Sequence, residues 1–353
     1  MAKKVLIVDD SALVRKQLTE IIATLNFDID IAKNGKEAVE KATSMQYDVI
    51  TMDINMPIMD GIEAVKLIMQ QQPTAILMVS SLTTENASIT MDALDLGAID
   101  YISKPGTMNV GKVDNYDEII TKVKSLSRIP KRRLVANKPT SRPPVRRKVV
   151  TRDESGPVSE VKEIEKIVLI GSSTGGPGLI EQICASLPYN YKYPVCIVQH
   201  MPAQFTEAFA QRLDKASSLA VYETTKNMEI LPGNIYLARG GVHLNFAKKT
   251  SGKIVVREDQ DKGSNFFHPS VNDMMHSALQ VFGAKNIIGV ILTGIGDDGA
   301  DGMVEIKTNG GYTLGESESS ATVYGMPKEA YDRGGVSEQL DFKNILKKIA
   351  TLK

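Results

Sequence analysis

The sequence has little of what would tie it to a membrane, a thiolate metal site or an oxidising compartment. No apolar run approaches the roughly 18 residues that a membrane span needs. Val5–Val8, behind Met-Ala-Lys-Lys, is too short for the apolar stretch of a signal peptide, so a cytoplasmic location is expected. Only two cysteines occur in 353 residues, Cys184 and Cys196. That is too few for a disulfide framework, and their apolar settings predict buried, reduced thiols. Neither charge sign dominates: Lys+Arg and Asp+Glu both number 42. The chain as a whole is therefore not built for nucleic acid or a membrane surface. With four histidines in all, the search for a general base is short.

What is present is enough for two domains and a connection. A hydrophobic fraction of 42% can fill buried cores. Up to about residue 105, short apolar runs alternate with helical patterns. Val5–Val8, Tyr47–Met52, Ala75–Val79 and Ile99–Ile102 read as buried strands. Val14, Leu18, Ile21 and Leu25 recur at helical spacing. This alternation predicts a doubly wound parallel sheet. Between Lys131 and Arg152 the pattern fails: nine basic residues and three prolines replace it. That composition predicts an exposed linker. A second α/β pattern starts at Ile167, with Ile167–Ile170, Pro194–Val198, Ile235–Leu237, Ile254–Val256 and Ile287–Leu292 as its clearer strands.

Three acids fall at strand ends in the first pattern. Asp9 and Asp10 follow Val5–Val8, and Asp53 follows Tyr47–Met52. If the strands are neighbours, three carboxylates converge, and their repulsion calls for a cation; hard oxygen ligands favour Mg²⁺. Ser80 and Lys104 end two further strands at the same edge, where a hydroxyl and an ammonium can bind phosphoryl oxygens. A single acid at a strand end could merely cap the next helix. Three acids with a Ser and a Lys exceed what capping requires.

Val8-Asp9-Asp10-Ser11, Met52-Asp53-Ile54-Asn55-Met56-Pro57, Asp60-Gly61, Val79-Ser80-Ser81 and Ser103-Lys104-Pro105 together resemble the response-regulator receiver domain. The resemblance covers roughly residues 3–125. It implies a five-stranded flavodoxin-like fold with Asp53 as phosphoacceptor. It also implies Mg²⁺ on Asp9, Asp10, Asp53 and the Asn55 carbonyl, with Ser80 as switch hydroxyl and Lys104 pairing with the phosphoryl oxygens.

In the second pattern, Ile167–Ile170 runs into Gly171-Ser172-Ser173-Thr174-Gly175, a Gly-x-Ser-x-Gly turn centred on Ser173. Ile180, Ile183, Cys184 and Leu187 then form a helical stripe. Strand, tight turn and helix is the context of a nucleophile elbow. A phosphate-binding turn is the competing reading, but no Gly-x-Gly-x-x-Gly is present and no Lys follows the glycines. A serine nucleophile needs a base. His200 ends the strand at Pro194–Val198 and is the best placed. His243, His268 and His276 lie in a strand-like stretch, a loop and a helix-like stretch. A carboxylate to orient His200 is available after Ile287–Leu292, in Thr293-Gly294-Ile295-Gly296-Asp297-Asp298-Gly299-Ala300-Asp301-Gly302. This is not a calcium loop, because Thr308 stands where the terminal Glu would be. The pattern does not choose between Asp297 and Asp298.

Ile170-Gly171-Ser172-Ser173-Thr174-Gly175-Gly176, Gln199-His200-Met201-Pro202, Leu231-Pro232-Gly233, Pro269-Ser270-Val271, Leu292-Thr293-Gly294-Ile295-Gly296-Asp297-Asp298-Gly299 and Tyr324-Gly325-Met326-Pro327 resemble the catalytic domain of the CheB family, over roughly 164–350. The resemblance implies a triad of Ser173, His200 and Asp298, with Thr174 beside the nucleophile and an oxyanion N–H from Ile295. This chain departs from the family's habits. Ser172 replaces Ala, Asp297 replaces Asn, Ile295 replaces Met, and His268 and Asn272 stand where Arg and Asp are typical. Asp297 is expected to disturb the proton affinity of Asp298 or His200.

The implied organisation is a receiver at 1–125, a basic linker at 126–162 and an α/β doubly wound serine-hydrolase domain at 163–353. The implied activity is phosphorylation-activated hydrolysis of glutamate methyl esters on chemoreceptors, extending to glutamine deamidation by the same acyl chemistry. A chemotaxis histidine kinase is the implied phosphoryl donor. No cofactor is expected for the ester chemistry, and neither nucleic-acid binding nor membrane insertion is expected. The alternative is a response regulator whose output is binding, to nucleic acid through the linker or to a protein, without hydrolysis.

Overall fold

A computed structural model describes residues 2–81, 83–105, 115–136, 164–259 and 267–352. The chain divides into two compact units, Met1–Arg142 and Pro143–Lys353. In the first, strands and helices alternate: β1 (Lys4–Val8), α1 (Ala12–Ala23), β2 (Asp28–Ala32), α2 (Gly35–Ser44), β3 (Val49–Asp53), α3 (Gly61–Gln71), β4 (Ala75–Ser80), α4 (Thr84–Asp95), β5 (Asp100–Ser103), α5 (Tyr116–Leu126) and α6 (Lys131–Ala136). The strands form one parallel sheet in the order β2-β1-β3-β4-β5. That is the flavodoxin-like order, which places all strand C-termini at one edge.

Local sequence sets the helix starts. Ser11, Asn34 and Asp60 cap α1, α2 and α3 by accepting from the N–H groups of Val14, Glu37 and Glu63, each satisfying one orphan donor of the first turn. On one face of the sheet, Val5, Ile7, Leu77 and Val79 pack with Leu18 and Ile22 of α1 and Ile119, Val123 and Leu126 of α5. β2, which no apolar run announces, is an edge strand reading Asp-Ile-Asp-Ile-Ala with only Ala32 fully buried. The linker expected at 126–162 opens with α6, whose Leu134 joins this same core, so the first unit's packing extends past residue 125. Residues 137–163 lie outside the described residues.

The second unit contains β6 (Ile167–Ser172), α7 (Pro177–Ser186), β7 (Val195–Gln199), α8 (Ala203–Ala216), β8 (Ala220–Glu223), β9 (Asn234–Leu237), β10 (His243–Lys248), β11 (Ile254–Asp259), α9 (Val271–Phe282), β12 (Ile287–Ile291), α10 (Ala300–Thr308), β13 (Tyr312–Glu316), α11 (Met326–Asp332), β14 (Glu338–Leu340) and α12 (Phe342–Ala350). Seven strands form a parallel sheet in the order β14-β13-β12-β6-β7-β9-β8. Ile254–Val256 does form a strand, but in a separate antiparallel hairpin, β10–β11. Phe246 of that hairpin packs edge-to-face on Phe282 of α9. Ile167, Leu169, Cys196 and Val198 of the central strands meet Val271, Met274 and Met275 of α9 and Met303 and Ile306 of α10 in one core. Cys184 and Cys196 are buried and not disulfide-bonded, as their apolar settings predict.

Leu134 gives a test of where the first unit ends. Leu134→Ala removes a side chain that is 4% exposed and should cost the first unit about 2–5 kcal/mol in a urea titration. A change below about 0.5 kcal/mol, ordinary for a surface site, would place α6 outside its core.

Candidate active site and phosphoacceptor pocket

In the first unit the parallel order brings the strand-end residues together. Asp53 ends β3, Asp9 and Asp10 follow β1, Ser80 ends β4 and Lys104 follows β5. Carboxylate oxygens of Asp9, Asp10 and Asp53 lie within 4.8 Å of one another. Lys104 Nζ bridges two of them, 2.8 Å from Asp53 Oδ2 and 3.1 Å from Asp9 Oδ2. Burial pushes the Asp53 carboxyl up to about 6; the Asp9 charge adds to this, while Lys104 and the Ile54 N–H oppose it. Burial likewise raises Asp9. Burial would lower the Lys104 ammonium, but Asp53 and Asp9 together hold it above its ordinary value. The acids thus outweigh one lysine, and the donor set of three hard carboxylates fits a divalent cation. Ser80 Oγ donates to the Ser81 carbonyl at 3.2 Å and lies 3.3 Å from Thr90 Oγ1. Asn55, two residues past Asp53, donates its amide to Asn86 at 3.3 Å.

In the second unit, β12, β6 and β7 are sheet neighbours, and the candidate triad lies just past their C-terminal ends. Ser173 follows β6, His200 follows β7, and Asp298 lies between β12 and α10. His200 Nε2 donates to Asp298 Oδ2 at 2.8 Å. Three more donors converge on that carboxylate: Ser270 Oγ (2.9 Å), Val271 N (2.6 Å) and Asn272 N (3.0 Å). Val271 and Asn272 open α9, so Asp298 sits on a helix N-terminus, where exposed N–H groups and the helix dipole favour an anion. Ser270 is the N-cap of that helix and also accepts from Asp273 N. Burial works against ionising Asp298, but His200 and the Asn272 and Val271 N–H groups outweigh it and hold the carboxyl below its ordinary value.

The ionised Asp298 fixes the tautomer of His200. A carboxylate only accepts, so Nε2 carries the hydrogen and Nδ1 keeps its lone pair. Nδ1 is buried and, among the described residues, has no hydrogen-bond partner. Its bond to the Ser173 hydroxyl is not closed here; such contacts often tighten only once substrate is bound. Phe267 stacks flat on the imidazole, with centroids 3.9 Å apart and planes 9° from parallel.

The elbow is held from the β12 side. Ser173 N donates to Thr293 O at 3.0 Å, and Thr293 Oγ1 donates to Thr174 O at 2.8 Å. Thr293 is anchored in turn by Glu316, a fully buried acid that accepts from Thr293 N (2.8 Å) and Ser320 Oγ (2.9 Å). Gly294 must lack a side chain, because a Cβ there would press on Ser173 Cβ and on Met326. Ile295, next in that loop, therefore follows the residue that packs directly against Ser173. Of the other histidines, His243 is buried and accepts from Ser270 N, His268 lies beside it, and His276 faces Glu305.

Residues 168–349 match the family model described as CheB methylesterase, and residues 5–114 match that of the response regulator receiver domain. A Carboxydothermus hydrogenoformans protein named protein-glutamate methylesterase/protein-glutamine glutaminase 2 is 45% identical, over 99% of this chain and 98% of its own. The chain belongs to the CheB methylesterase family. A Thermotoga maritima relative named protein-glutamate methylesterase/protein-glutamine glutaminase is 40% identical over 99% of this chain and 98% of its own. The crystal structure of a Thermotoga maritima CheB methylesterase catalytic domain superposes with a TM-score of 0.52 at 37% identity, covering 54% of this chain and all of that one.

Against the CheB pattern, the unusual residues acquire physical roles. Asp297 is exposed and paired with Arg333 at 2.5 Å, and the same guanidinium holds Asp301 at 2.8 Å. The expected disturbance does not reach Asp298, whose carboxyl is lowered rather than raised. Asn272 accepts from Gly302 N at 2.9 Å and so ties the start of α9 to α10. Sequence reasoning does not single out Phe267, Ser270 or Glu316. Only Ser270 carries a signal, the Ser-x-x-Asp spacing to Asp273 that marks a helix start.

The raised Asp53 pKa yields a sign that can be checked. Ionised Asp53 costs folding energy above pH 6, and the cost fades as pH falls from about 6 towards the unfolded value near 4. Asp53→Asn should therefore stabilise the metal-free receiver by about 1–3 kcal/mol at pH 7. The gain should shrink towards pH 4 in denaturant titrations with chelator. A gain that is constant across that range would contradict the burial argument.

Proposed function

We propose that this chain is a protein-glutamate methylesterase controlled by phosphorylation of its own receiver. The observation that carries the reading is His200, held by an ionised Asp298 with its Nδ1 lone pair available, one strand from Ser173 in a CheB-family chain. Ser173 Oγ attacks the ester carbonyl of a methylated glutamate while His200 Nδ1 takes its proton. Collapse of the tetrahedral adduct breaks the C–O bond to methanol, which leaves with the proton from His200. Water, deprotonated by His200, then attacks the acyl-enzyme and releases the glutamate carboxylate and the Ser173 hydroxyl. Asp298 keeps the imidazole in one tautomer and stabilises the imidazolium formed in each half-reaction. N–H groups at Thr174 and Ile295 stabilise the oxyanion. An amide gives the same acyl-enzyme with ammonia leaving, so glutamine deamidation needs no further residue. Methyl-accepting chemoreceptors are the substrates.

At the receiver, Asp53 takes a phosphoryl group from a phosphohistidine of a chemotaxis kinase: an Asp53 oxygen bonds to phosphorus and the P–N bond breaks. Asp9, Asp10, Asp53 and the Asn55 carbonyl would hold Mg²⁺, which when bound offsets the charge gathered on the phosphoryl oxygens. Lys104 pairs with one phosphoryl oxygen and Ser80 turns to meet another, which repacks the β4 edge.

The ester reading is checked by methanol release from methylated chemoreceptor membranes. Ser173→Ala should lose at least 10³-fold in kcat, as removal of a covalent nucleophile does; activity within tenfold of wild type would overturn the assignment. For control, the 160–353 fragment should be faster than the unphosphorylated full chain, and Asp53→Ala should not respond to phosphoryl donor. A fragment no faster than the full chain would rule out repression by the receiver.

A further inference from the structure

Gln199, the last residue of β7, is 2% exposed; it directly precedes His200 and pairs in the sheet with Ser172, the neighbour of Ser173. Its Nε2 donates to the Ser173 carbonyl at 2.9 Å and to the His200 carbonyl at 3.2 Å. At its other end, Oε1 accepts from Ser172 Oγ at 2.6 Å. This pattern fixes which end of the amide is which. Two carbonyls can be served only by the NH₂, and the fully buried Ser172 hydroxyl donates to the oxygen. The Ser173 carbonyl receives a second bond from Gly176 N at 2.9 Å. No side chain fits at Gly176, because a Cβ would run into Gln199 Oε1, Ser172 Oγ and Ser173 O.

We propose that Gln199 is a positioning residue that ties the backbone of the nucleophile to the backbone of the base, with Ser172 fixing its amide. The proposal rests on the reading of Ser173 and His200 as nucleophile and base. Its mechanism follows from the planar peptide. In a trans peptide the carbonyl of one residue and the N–H of the next point in opposite directions. Holding Ser173 O against Gln199 therefore aims the Thr174 N–H away from Gln199, and holding His200 O does the same for the Met201 N–H. One side chain thus sets the tilt of the peptide that bears an oxyanion donor and the placement of the imidazole. β6 and β7 already share the register Ser172↔Gln199, and His200 N donates to Ser172 O at 3.0 Å. The amide adds orientation to that ladder rather than another rung.

The test uses the full-length chain with methylated chemoreceptor membranes and, independently, a fluorophosphonate probe that phosphonylates an activated serine with loss of fluoride. Gln199→Met keeps the volume and removes both donors. We expect kcat to fall about 10²-fold, the scale of a misplaced reactive group, with KM within threefold and a circular dichroism spectrum matching wild type. Ser172→Ala leaves the amide in place but unlocks it, and kcat should fall about 3- to 10-fold. Gln199→Glu places a carboxylate against two carbonyls. Protonation restores one donor, so its rate relative to wild type should climb as pH falls, which nonspecific damage to the fold does not produce. Gln199→Met with kcat within twofold of wild type overturns the proposal, as do losses in all three variants that merely track the unfolded fraction. A wild-type chain that takes the probe on Ser173 but releases no methanol would sink the ester reading alone. Slower labelling of Gln199→Met would then still support the positioning role.

Discussion

A carboxylate taken out of water must find donors or a counter-charge, and the two halves of this chain meet that requirement in opposite ways. Asp298 finds four donors: a helix N-cap hydroxyl, two N–H groups of the first turn of α9, and the imidazole of His200. These donors outweigh its burial and hold its carboxyl below the ordinary value. Asp53 finds the Ile54 N–H and one lysine that it shares with Asp9, and its carboxyl is held up near 6. One acid is a fixed support, and the other is left short of positive charge. A group that must be modified is suited by the second condition, and a group that must orient a base by the first.

The parallel sheet makes both arrangements possible. Every strand in each main sheet runs the same way, so side chains from distant parts of the sequence emerge at one edge. Ser173 and Asp298 are far apart along the chain, yet each needs only to follow its strand by a few residues to meet His200. The supporting groups lie behind this edge. Thr293, just past β12 and anchored by Glu316 at the end of β13, braces the elbow from one side, and Gln199 of β7 braces it from the other.

Much of this was legible from residues in order, and the exceptions have physical reasons. The acids at strand ends, the Gly-x-Ser-x-Gly turn and the histidine after an apolar strand are visible because buried parallel strands read as uninterrupted apolar runs. β2 was not visible because an edge strand that alternates Asp and Ile has no such run. The choice between Asp297 and Asp298 was not available from spacing. It depends on where α9 begins and on Arg333, which lies more than thirty positions downstream and neutralises Asp297. Phe267 and Glu316 carry no local signal, because stacking on an imidazole and bracing a turn are decided by three-dimensional packing alone.

The tautomer of His200 has a mechanical consequence. The nitrogen left to accept a proton is Nδ1, which is bonded to the ring carbon that joins the side chain to the main chain, while the outer nitrogen, Nε2, is tethered to Asp298. A swing about the Cα–Cβ bond displaces an inner ring atom less than an outer one. The unbonded nitrogen therefore sits on a short arm whose far end is pinned and whose flat face is stacked on Phe267. Such an imidazole has little room to wander, so where Nδ1 points is set by the backbone that carries the ring.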